Sequence, residues 1–455
     1  MTARARRQSI HGQWSGRWAF ILAATGSAVG LGNIWKFPYL AGEYGGGAFV
    51  LVYLLCVAII GLPIMMAEIM LGRRGRQSPI NTMASLAEEE GGSPWWQLVG
   101  WSGMLAGFLI LSYYSVIGGW TLAYIVRTAD GAFAGADVET SGRIFSALVS
   151  DPERLLAWHS IFMVMTLAVV ARGVRGGLEK ATKLLMPALF VLLLVLLGYA
   201  MNTDHFDAGL RFMFRPDFAK ITGEGVLAAM GQAFFSLSLG MGAIMIYGSY
   251  LPQQDAITRS AITIAAADTG VAILAGLAIF PIMIANGLPS AQGPGLVFKT
   301  LPIAFGHMPG GAFFGVLFFV LLTFAAWTSA ISIIEPAVAW LVENHGLKRI
   351  TATAVSGGAV WLLGLGTIFS FNIWSDDTLW GKTFFDFIDY LTSNIMLPLG
   401  GLSIAVFAVW VMTRESSREE LNLVDGIGYA VWRFVLRYMT PVAVAVVFFH
   451  AVGLG

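Results

Sequence analysis

Thr25-Gly-Ser-Ala-Val-Gly-Leu-Gly-Asn33 interrupts an apolar run near the start of the chain, and Phe235-Ser-Leu-Ser-Leu-Gly-Met-Gly-Ala243 interrupts another near its middle. Glycine is a poor helix residue, disfavoured by roughly 0.8–1.0 kcal/mol against alanine. In a bilayer the cost is larger, because each unsatisfied backbone group there costs several kcal/mol. A chain that opens two helices at membrane depth, at Gly30/Gly32 and at Gly240/Gly242, must satisfy the freed groups with something. The flanking Ser, Thr and Asn residues point to an ion and a polar solute.

Composition supports membrane depth. The chain has 455 residues, 57% hydrophobic and 12% charged, with a mean hydropathy of +0.73. Such a composition belongs to an all-α, multi-pass membrane protein. No polar module separates the apolar runs, so residues 1–455 read as a single transmembrane domain. A formal net charge of zero, with no basic stripe and interleaved aromatics, gives no sign of nucleic-acid binding. The lone Cys56 excludes a disulfide or a thiolate metal site within one chain.

Eleven spans are expected, near 17–40, 47–72, 95–126, 155–171, 178–200, 222–251, 260–286, 310–342, 351–371, 384–413 and 427–453. With the N-terminus inside, the inner segments hold 18 of the 27 Lys and Arg residues. The positive-inside rule then gives a cytoplasmic N-terminus and, after eleven spans, an extracytoplasmic C-terminus. Residues 200–221 and 372–383 become outer loops, and the Pro/Gly-rich stretch before Leu301 an outer re-entrant loop. The two glycine pairs fall in spans one and six, at the same place in two five-span halves, about 17–200 and 222–413, with 427–453 as an added eleventh helix. Five is odd, so the second half is inverted in the membrane, and inverted repeats with interrupted first helices are a transporter pattern. One Gly-x-Gly alone would read as small-residue helix packing; two at equivalent places, flanked by hydroxyls and Asn33, favour the transporter.

Charges inside spans cost at least ~2.5–3.5 kcal/mol each and are functional by default. Asp268 in span seven has no basic neighbour in sequence. It reads as a ligand for a hard cation such as Na⁺, against a protonated Asp bonded to a neighbouring helix. Glu68 and Glu335 read either as ion contacts or as caps on the open backbone of a broken helix. Lys36 and Asp389 lie towards the outer ends of spans one and ten, where snorkelling is the plain alternative. Of Tyr113 and Tyr114 in span three, one is a candidate substrate contact. Thr328 and Ser329 in span eight are polar residues whose commoner fate is back-bonding to their own helix.

Together the residues resemble a known family. Gly26-Ser-Ala-Val-Gly-Leu-Gly-Asn-Ile-Trp-Lys-Phe-Pro-Tyr39, Gly45-Gly-Gly-Ala-Phe49, Gly61-Leu-Pro, Glu68, Gln232-Ala-Phe-Phe-Ser-Leu-Ser-Leu-Gly-Met-Gly242 and Thr328-Ser329 are similar to the neurotransmitter:sodium symporters, and most of all to bacterial members that carry several hydrophobic amino acids. The resemblance spans nearly the whole chain. It implies the LeuT fold, with a 5+5 inverted repeat and broken first and sixth helices, and sodium-coupled uptake of a small-molecule L-amino acid by alternating access. That fold is the standard example of such broken helices. The implied setting is the bacterial inner (plasma) membrane, within the lipid bilayer, as a monomer or weak dimer.

Carried over residue by residue, the resemblance implies two sodium ions. The first would use Ala28, Asn33, Ser236, Asp268 and the substrate carboxylate; the second, Gly26, Val29, Ala325, Thr328 and Ser329. The substrate carboxylate would meet the N–H groups of Leu31 and Gly32 and the Tyr114 hydroxyl, since a half-helix N-terminus favours an anion. The ammonium would meet the carbonyls of Ala28, Phe235 and Ser236 and the Ser238 hydroxyl. Ile110, Phe235, Met241 and Ile333 would line the side-chain pocket. Tyr114 and Phe235 would form the outer lid below a Lys36–Asp389 gate. Gly177 and Pro187 match an inner segment of span five that unwinds in this family to let water reach the second sodium.

Departures from the family pattern sharpen the expectations. Amine carriers have Asp where this chain has Gly30, so here the substrate brings its own carboxylate. Many members have Asn at the position of Asp268 and, four residues on, a Ser that helps bind chloride; that later position is Ala272. A fixed Asp268 charge replacing chloride makes chloride independence the expectation. Lys36 stands where Arg is usual and cannot make a planar bidentate pair. His11 and Glu343 stand where the inner gate usually pairs Arg with Asp, with Arg7 as a possible substitute for His11. Other carrier substrates, a small polar amino acid or a taurine-like zwitterion, stay open. An ion channel would show charge rings and symmetry about the membrane normal, and an enzyme would show a nucleophile motif or a His cluster. Neither pattern is present.

Overall fold

The computed structural model describes residues 7–285, 295–423 and 426–451. Every regular element among them is helical, and the β-pairing is confined to two isolated bridges. Among the described residues eight helices are long and apolar enough to cross a membrane: Gly47–Gly75, Pro94–Ala129, Pro152–Val170, Val174–Met201, Ile257–Ala285, Gly311–His345, Arg349–Ser370 and Phe384–Val411. These are expected spans two to five and seven to ten, shifted by a few residues at their ends. A ninth is the bent pair Arg17–Ala28 and Gly32–Glu43, which meet at 55°. The other two expected spans are the helical segments 223–249, cut into pieces of 14 and 7 residues, and 426–451.

The glycines set both breaks. Span one stops at Ala28, Val29 turns extended (φ −68°, ψ 106°), and the helix restarts as a wide π turn over Gly32–Lys36. Span six unwinds between Ser236 and Ala243, where Ser238, Gly240 and Gly242 all have positive φ (54°, 83° and 78°). Gly240 has two reasons to be glycine: its left-handed backbone, and the carbonyl oxygen of Leu397, which would lie 2.4 Å from a Cβ. Spans two and six cross backbone on backbone, since a Cβ at Gly72 would lie 1.8 Å from the Met245 carbonyl oxygen and one at Gly248 2.8 Å from that of Ile69. Small residues permit such crossings where no hydrophobic drive separates helix from lipid.

Several stretches expected as loops are short helices. Phe206–Phe214 lies in the expected outer loop 200–221 and turns Gly209 and Met213 inward, against Pro281 and Gly276 of span seven. Residues 296–307, at the expected re-entrant loop, are helical too; the loop's residues 286–294 lie outside the described residues. Phe206–Phe214 buries one face and residues 296–305 nearly every side chain, so their apolar surfaces find partners only in the assembled fold.

Candidate substrate and ion site

The two breaks face each other across a small buried cavity. Its walls come from span one (Ser27, Ala28, Gly30, Gly32), span three (Ile110, Tyr114), span six (Phe235, Ser236, Ser238, Met241) and span eight (Ser329, Ile333). None of these residues is charged. Free space is about 20 Å³, room for about one water, so an amino acid enters only if the walls part. Tyr114 closes one end, with its hydroxyl accepting the Leu31 N–H at 3.1 Å. The Gly30 N–H donates to Asn33 Oδ1 at 3.0 Å. Leu31, expected for its backbone N–H, is buried beside the cavity but does not line it. Ser27, which the sequence reading omitted, does line it, and its hydroxyl bonds Ser332 at 2.7 Å. Ser238 donates to the Ser27 carbonyl at 2.8 Å, tying the two breaks together.

Next to the cavity, Asp268 joins spans one, six and seven. Asn33 Nδ2 donates to Asp268 Oδ1 at 2.7 Å and also reaches Ser236 Oγ and the Asp268 carbonyl, both at 3.1 Å. Ser236 Oγ donates to Asp268 Oδ2. Tyr53, from span two, completes the cluster with its hydroxyl 3.1 Å from Ser236 Oγ. Nothing in the local sequence around Tyr53 signals this; the crossing of spans two and six delivers it. Asp268 itself is fully buried, and among the described residues it has no basic partner.

On the other side of the span-one break, Ser329 Oγ lies 3.3, 3.1 and 3.2 Å from the carbonyl oxygens of Gly26, Ser27 and Val29. Thr328 back-bonds to the carbonyls of Phe324 and Ala325 at 3.0 and 3.1 Å. A Cβ at Gly26 would stand 3.1 Å from both Thr328 Cβ and Met186 Sδ. Gly26, Val29, Ala325, Thr328 and Ser329 are thus gathered in one place, rich in carbonyl and hydroxyl oxygen. Glu68 is a cap: its Oε1 accepts the Gly240 N–H at 2.7 Å, satisfying the open backbone of span six. Gln232 serves span one in the same way, donating to the Gly32 carbonyl at 2.9 Å.

A family model described as the sodium:neurotransmitter symporter family matches residues 11–140 and 149–453. The chain belongs to that family. It is 39% identical over 445 residues to an uncharacterized sodium-dependent transporter, YhdH, of Bacillus subtilis, covering 97% of this chain and 98% of that one. A sodium- and chloride-dependent taurine transporter of Bos taurus is 25% identical over 92% of this chain and 74% of its own. The crystal structure of MhsT in complex with L-phenylalanine superposes with a TM-score of 0.90 at 41% identity, over 97% of this chain and 99% of that one. The protein is therefore a sodium-dependent, multi-pass membrane transporter of a small molecule, with the LeuT fold.

In this symporter the two residues expected to pair as an outer gate turn to other partners. Lys36 and Asp389 form no ion pair. Lys36 Nζ stands 4.5 Å from the centre of the Phe235 ring, while Asp389 Oδ1 accepts from Tyr113 at 3.1 Å and Ser393 at 3.0 Å. The ammonium, lacking arginine's fork, settles on a π face, a contact worth about 0.5–2 kcal/mol. Phe235 also presses on the span-one break, 2.8 Å from where a Gly32 Cβ would stand.

The N-terminal segment of the symporter is tied to spans eight and six. His11 Nε2 is 3.0 Å from Glu343 Oε1, and Glu343 also accepts from the Ser78 N–H (2.8 and 2.9 Å) and from Asn81 (2.8 Å). Arg7 does not substitute; it pairs with Glu89 at 3.5 Å. Trp14 is buried, donating to the Tyr247 carbonyl at 3.0 Å. Glu335 turns to protein partners. It accepts from Tyr250 at 2.8 Å and pairs with Arg349 at 2.6 Å. Gly177 sits in a π turn, Val174–Leu178, where a Cβ would lie 2.0 Å from the Val169 carbonyl oxygen; Pro187 lies inside the helix that follows. The inner part of span five is therefore wound in this structure.

Proposed function

We propose that this transporter imports neutral, hydrophobic L-amino acids with two sodium ions, independently of chloride, across the bacterial inner membrane with its N-terminus in the cytoplasm. It works as one transport domain with repeats of about 17–200 and 222–413. The observation that carries the reading is the composition of the cavity wall. Twelve uncharged residues make no salt bridge to a ligand, so a ligand must be neutral overall and balance its own charges. The Leu31 N–H and the Tyr114 hydroxyl suit a carboxylate, the freed carbonyls around Ser27 and Ser236 suit an ammonium, and Ile110, Phe235, Met241 and Ile333 suit an apolar side chain. The L-phenylalanine held by MhsT supports this substrate class.

The oxygen clusters on either side suit Na⁺, a hard cation. Asn33, Ser236 and Asp268, with the Ala28 carbonyl, form the first, which the substrate carboxylate completes. Gly26, Val29, Ala325, Thr328 and Ser329 form the second. Asp268 supplies the fixed negative charge, and Ala272 offers no hydroxyl to an anion. The test is binding of a panel of radiolabelled L-amino acids to purified protein in sodium chloride, sodium gluconate and choline chloride. Equal saturable binding of phenylalanine or leucine in both sodium salts, and none in choline, is expected. Binding of every ligand that ignores sodium would remove the main claim, and a strong loss in gluconate would remove chloride independence.

His11–Glu343 acts as the inner latch of the transport cycle. His11 meets Glu343 through one ring nitrogen, whereas arginine is permanently charged and holds a carboxylate through a planar fork of donors. His11→Arg is therefore expected to hold the inner side closed and slow uptake about tenfold, the effect of about 1.4 kcal/mol on the open–closed balance. His11→Ala should do the reverse and raise labelling of inner-pathway cysteines. Uptake and labelling indistinguishable from wild type in both variants would show that the contact is not a latch.

A further inference from the structure

A groove of about 870 Å³ lies between the helix Arg414–Leu421 and the first turns of span eleven, far from the central cavity in sequence and in residues. Among the described residues four arginines line it, Arg414, Arg418, Arg433 and Arg437, against two acids, Glu415 and Glu419. Arg433 donates to the Tyr429 hydroxyl at 3.1 Å and to the Val409 carbonyl at 2.6 Å, both uncharged. Arg437 makes no carboxylate contact among the described residues; its guanidinium stands 4.5 Å from the Trp410 ring centre and 5.7 Å from that of Tyr438. The Arg414 side chain likewise meets no carboxylate among the described residues. The Nε of both Arg433 and Arg437 is buried without a partner.

Placement says what such a groove meets. It begins just after span ten ends at Val411 and runs along the entry of the last span. Beside it Trp410, Phe434 and Tyr438 are each more than half exposed, as aromatic residues are at a membrane boundary. Arg433 and Arg437 lie one turn apart on a helix read as a span, where an uncompensated arginine is costly. An anion at the groove offsets that cost, and arginine holds phosphate through paired N–H donors. We infer that the groove binds the phosphate of an anionic phospholipid, with the acyl chains lying over Trp410, Phe434 and Tyr438. By the Lys/Arg balance this is the cytoplasmic leaflet. A zwitterionic headgroup carries its own cation into the arginine cluster and binds less well, and a free phosphate ester lacks the apolar contact.

The test uses the full-length symporter in detergent, with retained lipid measured by native mass spectrometry and competition. Phosphatidylglycerol is expected to bind saturably. Phosphatidylcholine and glycerol 3-phosphate should not displace it. Arg414→Gln with Arg437→Gln should weaken it about tenfold or more, as two surface arginines contribute about 1 kcal/mol each. Arg154→Gln, at a pair with Asp151 elsewhere, should change nothing, and sodium-dependent substrate binding monitors folding. Glu415→Gln, which removes a repelling charge, should tighten binding about threefold and serves if the double variant fails to purify. Equal competition by phosphatidylcholine, displacement by glycerol 3-phosphate, unchanged affinity in the double variant, or no gain in Glu415→Gln would each overturn the site.

Discussion

Asp268→Ala is expected to weaken sodium-dependent substrate binding by at least about 100-fold while the protein still reaches the membrane. The carboxylate is fully buried, held by Asn33 and Ser236, and has no basic partner among the described residues. A buried carboxylate in that position needs a proton or a cation. If the cation is the coupled sodium, the variant loses one side of a buried charge pair, a change that costs about 3–5 kcal/mol. At about 1.4 kcal/mol per tenfold, that is two decades or more. Asp268→Asn keeps an acceptor for Asn33 but no charge, so it should fall between, about tenfold weaker. A sodium titration of phenylalanine binding reads both. The rival reading makes Asp268 a crosslink of spans one, six and seven. It predicts a lower melting temperature with an unchanged sodium midpoint, and that result would end its role as an ion ligand.

The fold was readable because the cause of each break is local. Gly30 and Gly32 flank the first break, Gly240 and Gly242 the second with left-handed backbone, and each pair is visible in its own stretch of sequence. The cavity's residues followed from the family resemblance, which carried Ile110, Tyr114, Met241 and Ile333 to the same place. What could not be read is which side chain turns to which partner. Tyr53 and Tyr113 are tyrosines in apolar spans, and only the packed helices bring them to Ser236 and Asp389. Lys36 and Asp389 were matched by position, yet Phe235 offered the ammonium a nearer surface. Glu68 and Glu335 looked alike in sequence. One capped Gly240 and the other found Arg349, because span six opens beside the first and span nine begins beside the second. The short helices Phe206–Phe214 and Leu301–His307 are not legible for the same reason: their apolar surfaces are meaningful only against a bundle that already exists.

Gly30→Ala tests the other half of the site, and here folding and function should separate. The backbone at Gly30 is not left-handed, so alanine brings no torsional strain there. Its Cβ would stand 2.7 Å from the Tyr114 hydroxyl and 2.8 Å from Ser329 Oγ. Both neighbours are committed, Tyr114 to the Leu31 N–H and Ser329 to the carbonyls of the break. One methyl therefore pushes apart the group proposed to hold the substrate carboxylate and the group proposed to hold the second sodium. Overpacking costs about 1–3 kcal/mol, and a lost hydrogen bond to a charged group about 1.5–3 kcal/mol. Substrate affinity should drop roughly 100-fold by that arithmetic, with sodium affinity reduced and expression near normal. Gly231→Ala is the control, in the unbroken part of span six where a Cβ meets nothing within 4 Å; it should bind as wild type. If Gly30→Ala also binds phenylalanine as wild type does, the substrate does not sit between Tyr114 and the span-one break, and the cavity there belongs to packing alone.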